Sequence, residues 1–334
     1  MRVALLIGSL AELDTCHALY ANALAADGHE VWVGSVNSLS AAGGELSMTA
    51  GRAEPDQMVN AGAPFPGTTR RRDCTDLDLV WVLNYPHPSV QTETWQLLWR
   101  LNQQVPFVND VVGILMFGNK TNLDAVVPAG HLPRTLVSSS FDELWAHYQR
   151  APEQTWVLKP TDDDAGADVY LLKPGDSNNR VLLQSMTGNT GVTELLTKGS
   201  LMGLRRRYCA LQEYVPHTEE KRVILVGGRP VAQQAHRLAP DEHRGNTTHR
   251  ASCSETELTD DEWQLCEQVG ERLMRHGIRF AGIDLAHPYV FEANLVNPGG
   301  LDERLTLGLP DLTPDVLRTL LKEAPARHHA GAVR

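Results

Sequence analysis

The stretch Phe280-Ala281-Gly282-Ile283-Asp284-Leu285-Ala286-His287-Pro288-Tyr289-Val290-Phe291-Glu292-Ala293-Asn294 decides how this chain is read. Two apolar runs flank His287-Pro288, a pattern that predicts an antiparallel hairpin. Side chains alternate between faces with a period of two, so Glu292 and Asn294 share a face. With a three-residue turn over His287 to Tyr289, Asp284 stands opposite Glu292 on that face. Two carboxylates and an amide oxygen on a rigid ribbon form the hard donor set that Mg²⁺ prefers when it also bridges phosphates. The same residues also fit a plain surface hairpin, and the cations upstream decide between the two readings.

Working back from the hairpin, Thr259-Asp260-Asp261-Glu262 spells a capping box. Trp263, Cys266, Val269, Leu273 and Met274 follow at helical spacing as a core stripe, which Gly277 ends. Tyr208 to Leu225 alternates as strands do, and Pro230 to Arg237 gives another strand. Phe141 to Arg150 reads as a helix, and Thr155 to Lys159 as a strand ending on a lysine. The acidic loop Asp162 to Asp168 and a strand from Val169 to Leu172 follow. Together they suggest a small α+β lid over phosphates, although an exposed hairpin with an incidental lysine also fits this segment alone.

The beginning of the chain reads strand, helix, strand: Val3 to Ile7, Cys16 to Ala26 and Glu30 to Val33, the start of an open parallel sheet. The first turn lacks Gly-x-Gly-x-x-Gly, so a dinucleotide pyrophosphate site has no support. Ser38 to Thr75 reads as an irregular excursion holding one hairpin at most, with Arg70-Arg71-Arg72 as a solvated loop. A strand at Leu77 to Leu83, a helix at Gln91 to Gln104 and a strand at Pro106 to Asn109 complete a first domain ending near residue 118.

The 334 residues have room for two or three domains, and 42% hydrophobic with 21% charged side chains is a globular composition. Thirty basic against 41 acidic side chains give a net charge of −11, which disfavours general nucleic-acid binding and requires any bound anion to be drawn to a local basic pocket. No apolar run approaches the ~20 residues needed to span a bilayer, and the opening is too short for a signal peptide; a cytoplasmic protein is expected. The five cysteines never fall as Cys-x-x-Cys, which argues against disulfides and thiolate zinc. His236, His243 and His249 likewise fit no common zinc spacing and read as loop residues.

From Lys120 to about Leu312 the chain resembles the ATP-grasp superfamily, and more closely its bacterial glutathione synthetase branch. The matching words, in the family's order, are Asn119-Lys120, Val157-Leu158-Lys159-Pro160, Gln212-Glu213-Tyr214-Val215-Pro216, Lys221-Arg222-Val223, Ala235-His236-Arg237, Arg244-Gly245-Asn246, Gly282-Ile283-Asp284 and Glu292-Ala293-Asn294. The resemblance implies an α/β (α+β) ATP-grasp fold in three parts: an N-terminal open parallel-sheet substrate domain (1–118), a central lid (119–205) and a C-terminal antiparallel-sheet domain (206–320), with a flexible tail (321–334). It implies that Lys120 and Lys159 contact the α and β phosphates and that Gln212, Glu213, Tyr214 and Val215 form the hinge holding adenine. Glu220 would meet the ribose, and Asp284, Glu292 and Asn294 would hold two Mg²⁺ ions, with Mn²⁺ as a substitute. Arg222, Arg237, Arg244 and Asn246 would surround the transferred phosphate and the acyl group, so that Arg237→Ala is expected to be severely impaired.

The implied reaction is ATP-driven amide or peptide bond formation through an acyl phosphate, releasing ADP and phosphate. Its substrates would be an amino acid or peptide acid and an amine, in a homodimer or homotetramer with no nucleic-acid or membrane partner. Two wordings depart from the family. The loop over the phosphates holds Asp162-Asp163-Asp164 where glycines are usual. After the strand Leu79 to Val82, the basic pair of an Arg-Lys-Asp-Pro-Pro motif is replaced in Leu83-Asn84-Tyr85-Pro86-His87. The second departure argues for an acid other than γ-glutamylcysteine. Asp14, Thr15, Cys16, His17 and Asn84 are candidates to touch that acid, with a plain helix start capped by Asp14 as the alternative, and Asn297, Gly299 and Gly300 to touch the acceptor. The rival readings are an authentic glutathione synthetase and a nucleotide-binding module that has lost catalysis.

Overall fold

The computed structural model describes residues 1–162, 168–188, 207–239, 242 and 252–324. The first sheet holds β1 (Arg2–Ile7), β2 (Glu30–Ser35), β3 (Ser40–Ala42), β4 (Glu45–Ala53), β5 (Thr69–Asp73), β6 (Leu79–Val82) and β7 (Phe107–Val108). Their order is β3-β4-β2-β1-β6-β7, with β5 on β4. β2, β1, β6 and β7 pair in parallel as expected, whereas β3, β4 and β5 add an antiparallel wing.

Most of the excursion read as irregular is therefore sheet, and Arg70 to Arg72 is a strand rather than a loop, with Arg70 and Arg71 exposed as expected and Arg72 half-buried. Arg70 and Arg72, two residues apart on one face, lay their guanidinium groups 5.4 and 4.4 Å from the ring centre of Trp32. Arg71 points the other way and donates to the Ser38 carbonyl at 2.7 Å.

A second, antiparallel sheet follows: β8 (Thr135–Ser138), β9 (Trp156–Pro160), β10 (Tyr170–Leu172) and β11 (Cys209–Glu213), in the order β10-β9-β11-β8. It has its own core, including Phe141, Leu144, Trp156, Leu158 and Leu211. β11 was expected beyond a boundary at 205/206, yet its hydrogen bonds lie with β8 and β9 in this sheet.

The third sheet is β12 (Glu219–Val226), β13 (Arg229–Arg237), β14 (Ser252–Ser254), β15 (Phe280–Ala286) and β16 (Tyr289–Asn294), in the order β14-β13-β12-β15-β16. The helix Asp260–Arg275 covers one face, where Val223 and Leu225 pack with Leu265, Cys266 and Val269 and Lys221 pairs with Glu262 at 2.7 Å. The expected capping box starts this helix. Trp263, assigned to its core stripe, is 43% exposed because the buried face runs through Glu262, Leu265, Cys266, Val269 and Leu273.

The β15–β16 hairpin reaches the expected pairing of Asp284 with Glu292 by a different route. Its turn holds two residues, not three, with Ala286 opposite Tyr289 and Leu285 opposite Val290. A register shift between Asp284 and Leu285 then leaves Phe291 as the extra residue. Turn and bulge together consume the same number of residues as the expected turn. The hairpin tip is held where the Val290 amide donates to the His131 carbonyl at 2.9 Å.

The first and third sheets share their cores. Along β1, Ala4 and Leu6 enter one cluster and Val3, Leu5 and Ile7 the other; Val223 and Leu225 of β12 join the first, Ile224 and Val226 the second. Fully buried Asn109 stitches the two sheets, donating to the carbonyls of Phe280 and Leu295 at 2.6 and 2.9 Å and accepting from the amides of Arg279 and Phe280 at 2.7 and 2.9 Å. All of its amide atoms are satisfied, which is what makes a buried polar group compatible with a core. Among the described residues, no helix is long and apolar enough to cross a membrane.

Candidate active site

Residues directly opposite in an antiparallel sheet project from the same face, so the register of the third sheet spells out the site. One row reads Glu292, Asp284, Arg222, Gln234 across β16, β15, β12 and β13. A neighbouring row reads Glu220, His236, Cys253 across β12, β13 and β14. On the other side, Asn294 lies opposite Gly282. A Cβ on Gly282 would stand 2.7 Å from the Pro298 side chain, so the missing side chain lets the loop after β16 close onto the sheet. Arg222 donates to the Pro298 carbonyl and grips both Asp284 oxygens. The Asn294 amide adds a 3.3 Å contact to Asp284.

Cations reach this face from the second sheet. Lys159 is buried at the end of β9, its Nζ 3.0 Å from Gln212 Oε1 on the neighbouring β11. The Lys120 amide donates to the Thr161 carbonyl at 3.0 Å, which places Lys120 beside the same strand end, and its Nζ lies 2.7 Å from Glu292 Oε1. Residues scattered along the chain thus converge as alternating charges. Burial and the nearby Lys120 charge push the Lys159 ammonium down to about 8. Burial pushes the Glu292 carboxyl up, but the Lys120 and Lys159 charges outweigh it and leave its pKa below the ordinary glutamate value. Burial lifts Asp284 above the usual aspartate range against the pull of Arg222. Buried carboxylates whose charge is costly gain from a divalent cation, and the hard oxygen donors of Asp284, Glu292 and Asn294 fit one such as Mg²⁺.

The hinge candidates lie where β11 leaves the second sheet for the third. Gln212 donates to Thr135 Oγ1 at 2.9 Å; Glu213 turns to the other face and pairs with Arg134 at 2.8 Å. The Tyr214 amide donates to the Thr155 carbonyl at 3.0 Å, and the Val215 carbonyl accepts from His217 Nδ1 at 2.7 Å. Glu220 stands 3.7 Å from His217 Nε2. Burial works against the His217 charge, but the hydrogen bonds to Glu220 and the Val215 carbonyl raise its pKa.

Arg237 is not brought to this group. It is adjacent in sequence to His236 and so points to the opposite face, exposed, 3.4 Å from Glu219. The expected severe loss in Arg237→Ala has no geometric support in this placement. Arg244 and Asn246, and Asp163 and Asp164 of the acidic loop, lie outside the described residues.

At the substrate end, Asp14 caps the helix Thr15–Ala26 through the His17 amide at 2.8 Å, the structure of a plain helix start. Asp14 Oδ2 nevertheless also accepts from Asn297 at 3.0 Å, which joins the two candidate substrate regions. Thr15 is exposed, whereas Cys16 and His17 are buried in the core beneath. Asn84 accepts from the Gly8 amide at 3.0 Å and thereby shapes the turn after β1. Gly299 and Gly300 take φ of 69° and 92°, values that an L side chain rarely adopts; a Cβ on Gly300 would stand 2.9 Å from Gln234 Nε2.

A cavity of about 210 Å³ beside the hairpin is lined by Tyr85, Gly118, Arg222, Glu292, Asn294 and Pro298. Sequence reasoning missed Tyr85, Gln234, Pro298 and Glu303 as residues of this neighbourhood. For Gln234 the signal was present, because it lies two residues from His236 in an alternating strand.

Residues 123–307, more than half of the chain, match the family profile described as prokaryotic glutathione synthetase, ATP-grasp domain. The chain is 29% identical over 320 residues to the glutathione synthetase of Synechococcus elongatus, covering 91% of this chain and 93% of that protein. Against the Escherichia coli K12 glutathione synthetase it is 29% identical over 169 residues, 50% of this chain and 48% of that one. Its fold is that of D-cycloserine synthetase DcsG, with a TM-score of 0.62, 16% identity and coverage of 96% and 99%. The chain belongs to the prokaryotic glutathione synthetase family of the ATP-grasp superfamily, and it is an ADP-forming carbon–nitrogen ligase dependent on ATP and a divalent metal.

Proposed function

We propose that this enzyme joins the carboxylate of a small amino acid or peptide to an amine on the third sheet, with two Mg²⁺ ions held by Asp284, Glu292 and Asn294. The observation that carries the reading is the row Glu292, Asp284, Arg222 facing Lys120 and Lys159. A bound divalent cation would neutralise phosphate charge there and leave the γ-phosphorus open to attack.

The substrate carboxylate attacks the γ-phosphorus to give an acyl phosphate and ADP; the amine attacks the acyl carbon and phosphate leaves. The protein supplies no nucleophile. Lys120 and Lys159 hold the phosphates, Arg222 meets the charge developing at the substrate end, and burial keeps water from the acyl phosphate. In the free protein Glu292 satisfies Lys120 and Asp284 satisfies Arg222, so the charges stay assembled without ligand. The hinge Gln212 to Val215 takes adenine and Glu220 the ribose. We assign residues 1–118 to the acyl substrate and the lid to the sheet containing β11.

Lys159 makes this reading sensitive to pH. Its pKa is lowered from 10.5 to about 8, so raising the pH through about 8 removes its charge in the free enzyme. The expected result is weaker ADP binding above that pH, a slope that is lost in Lys159→Gln when Kd is followed by calorimetry. For stability the sign is opposite. Between about 8 and 10.5 the unfolded chain binds more protons than the fold, so this group contributes increasing stability as pH rises across that window.

The test is a phosphate-release screen of paired carboxylates and amines, with mass spectrometry of the products. An amide whose formation matches phosphate release one to one is expected; nucleotide binding without phosphate release from any pair would return the chain to the non-catalytic reading. A second reading, glutathione synthesis from γ-glutamylcysteine and glycine, is favoured by the likeness to the Synechococcus elongatus enzyme over 91% of the chain. That pair belongs in the screen as its own arm.

A further inference from the structure

We infer that His236, Cys253 and Glu303 form a zinc site at the edge of the same sheet face, distinct from the Mg²⁺ donors of the hairpin. His236 on β13 and Cys253 on β14 are direct cross-strand partners, so their side chains leave the sheet side by side. Glu303 comes from the helix Leu301–Thr306, which begins immediately after the Gly299-Gly300 turn. The three ligand atoms lie within 4.8 Å of one another, and His236 Nε2 is 3.1 Å from Glu303 Oε2.

The donor set decides the metal. Imidazole nitrogen and thiolate sulfur suit a borderline-soft cation, whereas Mg²⁺ takes oxygen ligands; three protein donors leave a tetrahedral zinc ion with one open position. The surroundings are those of a built site. Gln234, completely buried on β13, donates from Nε2 to Glu303 Oε2 at 2.6 Å and so fixes the carboxylate. Its Oε1 is buried with no hydrogen-bond partner among the described residues. A buried acceptor left unpaired is costly, and a water on the open position of the metal is a donor that would satisfy it. On binding, the Cys253 thiol proton goes to solvent, and His236 carries its remaining proton on Nδ1 so that Nε2 is free to bind. No electron transfer is involved.

His236, Cys253 and Glu303 are delivered by two strands and a helix, so they leave no Cys-x-x-Cys or closely spaced histidine pattern in the chain. The site also ties the β13–β14 edge to the helix that follows the Asn297 to Gly300 loop.

The full chain, stripped of metal and held in excess Mg²⁺ to occupy the hairpin donors, should bind one equivalent of Co²⁺. It should show tetrahedral visible bands and a thiolate charge-transfer band, both abolished by added Zn²⁺. Cys253→Ser should lose the charge-transfer band, and Glu303→Gln should weaken Zn²⁺ at least about tenfold, the loss that even an outer partner of a metal ligand causes. Should the variants fold poorly, wild-type protein alone serves. Cys253 is partly exposed while the other cysteines are buried, so Zn²⁺ should slow its alkylation, read by peptide mass spectrometry. Absent cobalt bands in the wild type, a charge-transfer band surviving in Cys253→Ser, or alkylation unaffected by saturating Zn²⁺ would each overturn the assignment. Because no readout depends on turnover, failure of the ligase reading would leave these results unchanged.

Discussion

Glu292→Gln is expected to lower kcat by about 10²- to 10³-fold, the loss typical of removing one group that stabilises developing charge, while the protein remains folded. The substitution keeps the shape and an acceptor oxygen but removes the negative charge a divalent cation needs. It also removes the charge that balances Lys120 at 2.7 Å. A lysine relieved of its carboxylate becomes more available to phosphate, so metal-free ADP should bind no more weakly than to the wild type. The combination of lost turnover with retained ADP affinity separates a metal-holding role from general damage. Coupled ADP-release kinetics, calorimetric ADP titration and a thermal melt are sufficient to read it. Undiminished turnover would remove Glu292 from the metal set.

Arg222→Ala should cost about 3–5 kcal/mol of stability, the usual consequence of leaving one member of a buried ion pair alone. Arg222 is the sole described link binding Asp284 through two charged contacts and the Pro298 carbonyl at once. Its loss strands the Asp284 carboxylate and frees the loop leading to Gly300. Turnover should disappear as well, so the single variant cannot separate structure from chemistry. Arg222→Met combined with Asp284→Leu does so: two apolar side chains of similar volume should recover most of the midpoint in a denaturant titration without restoring any turnover. A single variant as stable as the wild type would mean that the pair is solvated and that the site is less closed than the burial of Asp284 indicates.

Glu292 was legible in the amino-acid order for a local reason, whereas Arg222 was singled out only by the resemblance to the family. The β15–β16 hairpin is written in two apolar runs around His287-Pro288, and the Asp284–Glu292 pairing survives even though the turn is shorter and a bulge makes up the difference. The capping box at Thr259 is equally local, because both of its hydrogen bonds close within one turn. Trp263 shows the limit of helical spacing: a residue one step off the buried stripe is scored as core by apolarity but faces solvent. Arg70 to Arg72 show the complementary limit. Their charge predicted the solvent exposure that Arg70 and Arg71 have, but not the strand they form, because the strand they pair with and the aromatic face at Trp32 are distant in sequence.

By itself the amino-acid order determined the β15–β16 hairpin with Asp284 and Glu292 on one face and the capped helix after Thr259, because these follow from periodicities of a few residues. Lys120 and Lys159 were singled out by the resemblance to the ATP-grasp family, not by any local period. Which strands lie side by side was decided by tertiary structure. That choice brought Lys120 and Lys159 to the carboxylates of another sheet, turned Arg237 away from them, and set His236, Cys253 and Glu303 within reach of one another. The physical reason is that alternation specifies a direction relative to the sheet, whereas neighbours across it are chosen by which apolar faces bury together, a property of the whole chain.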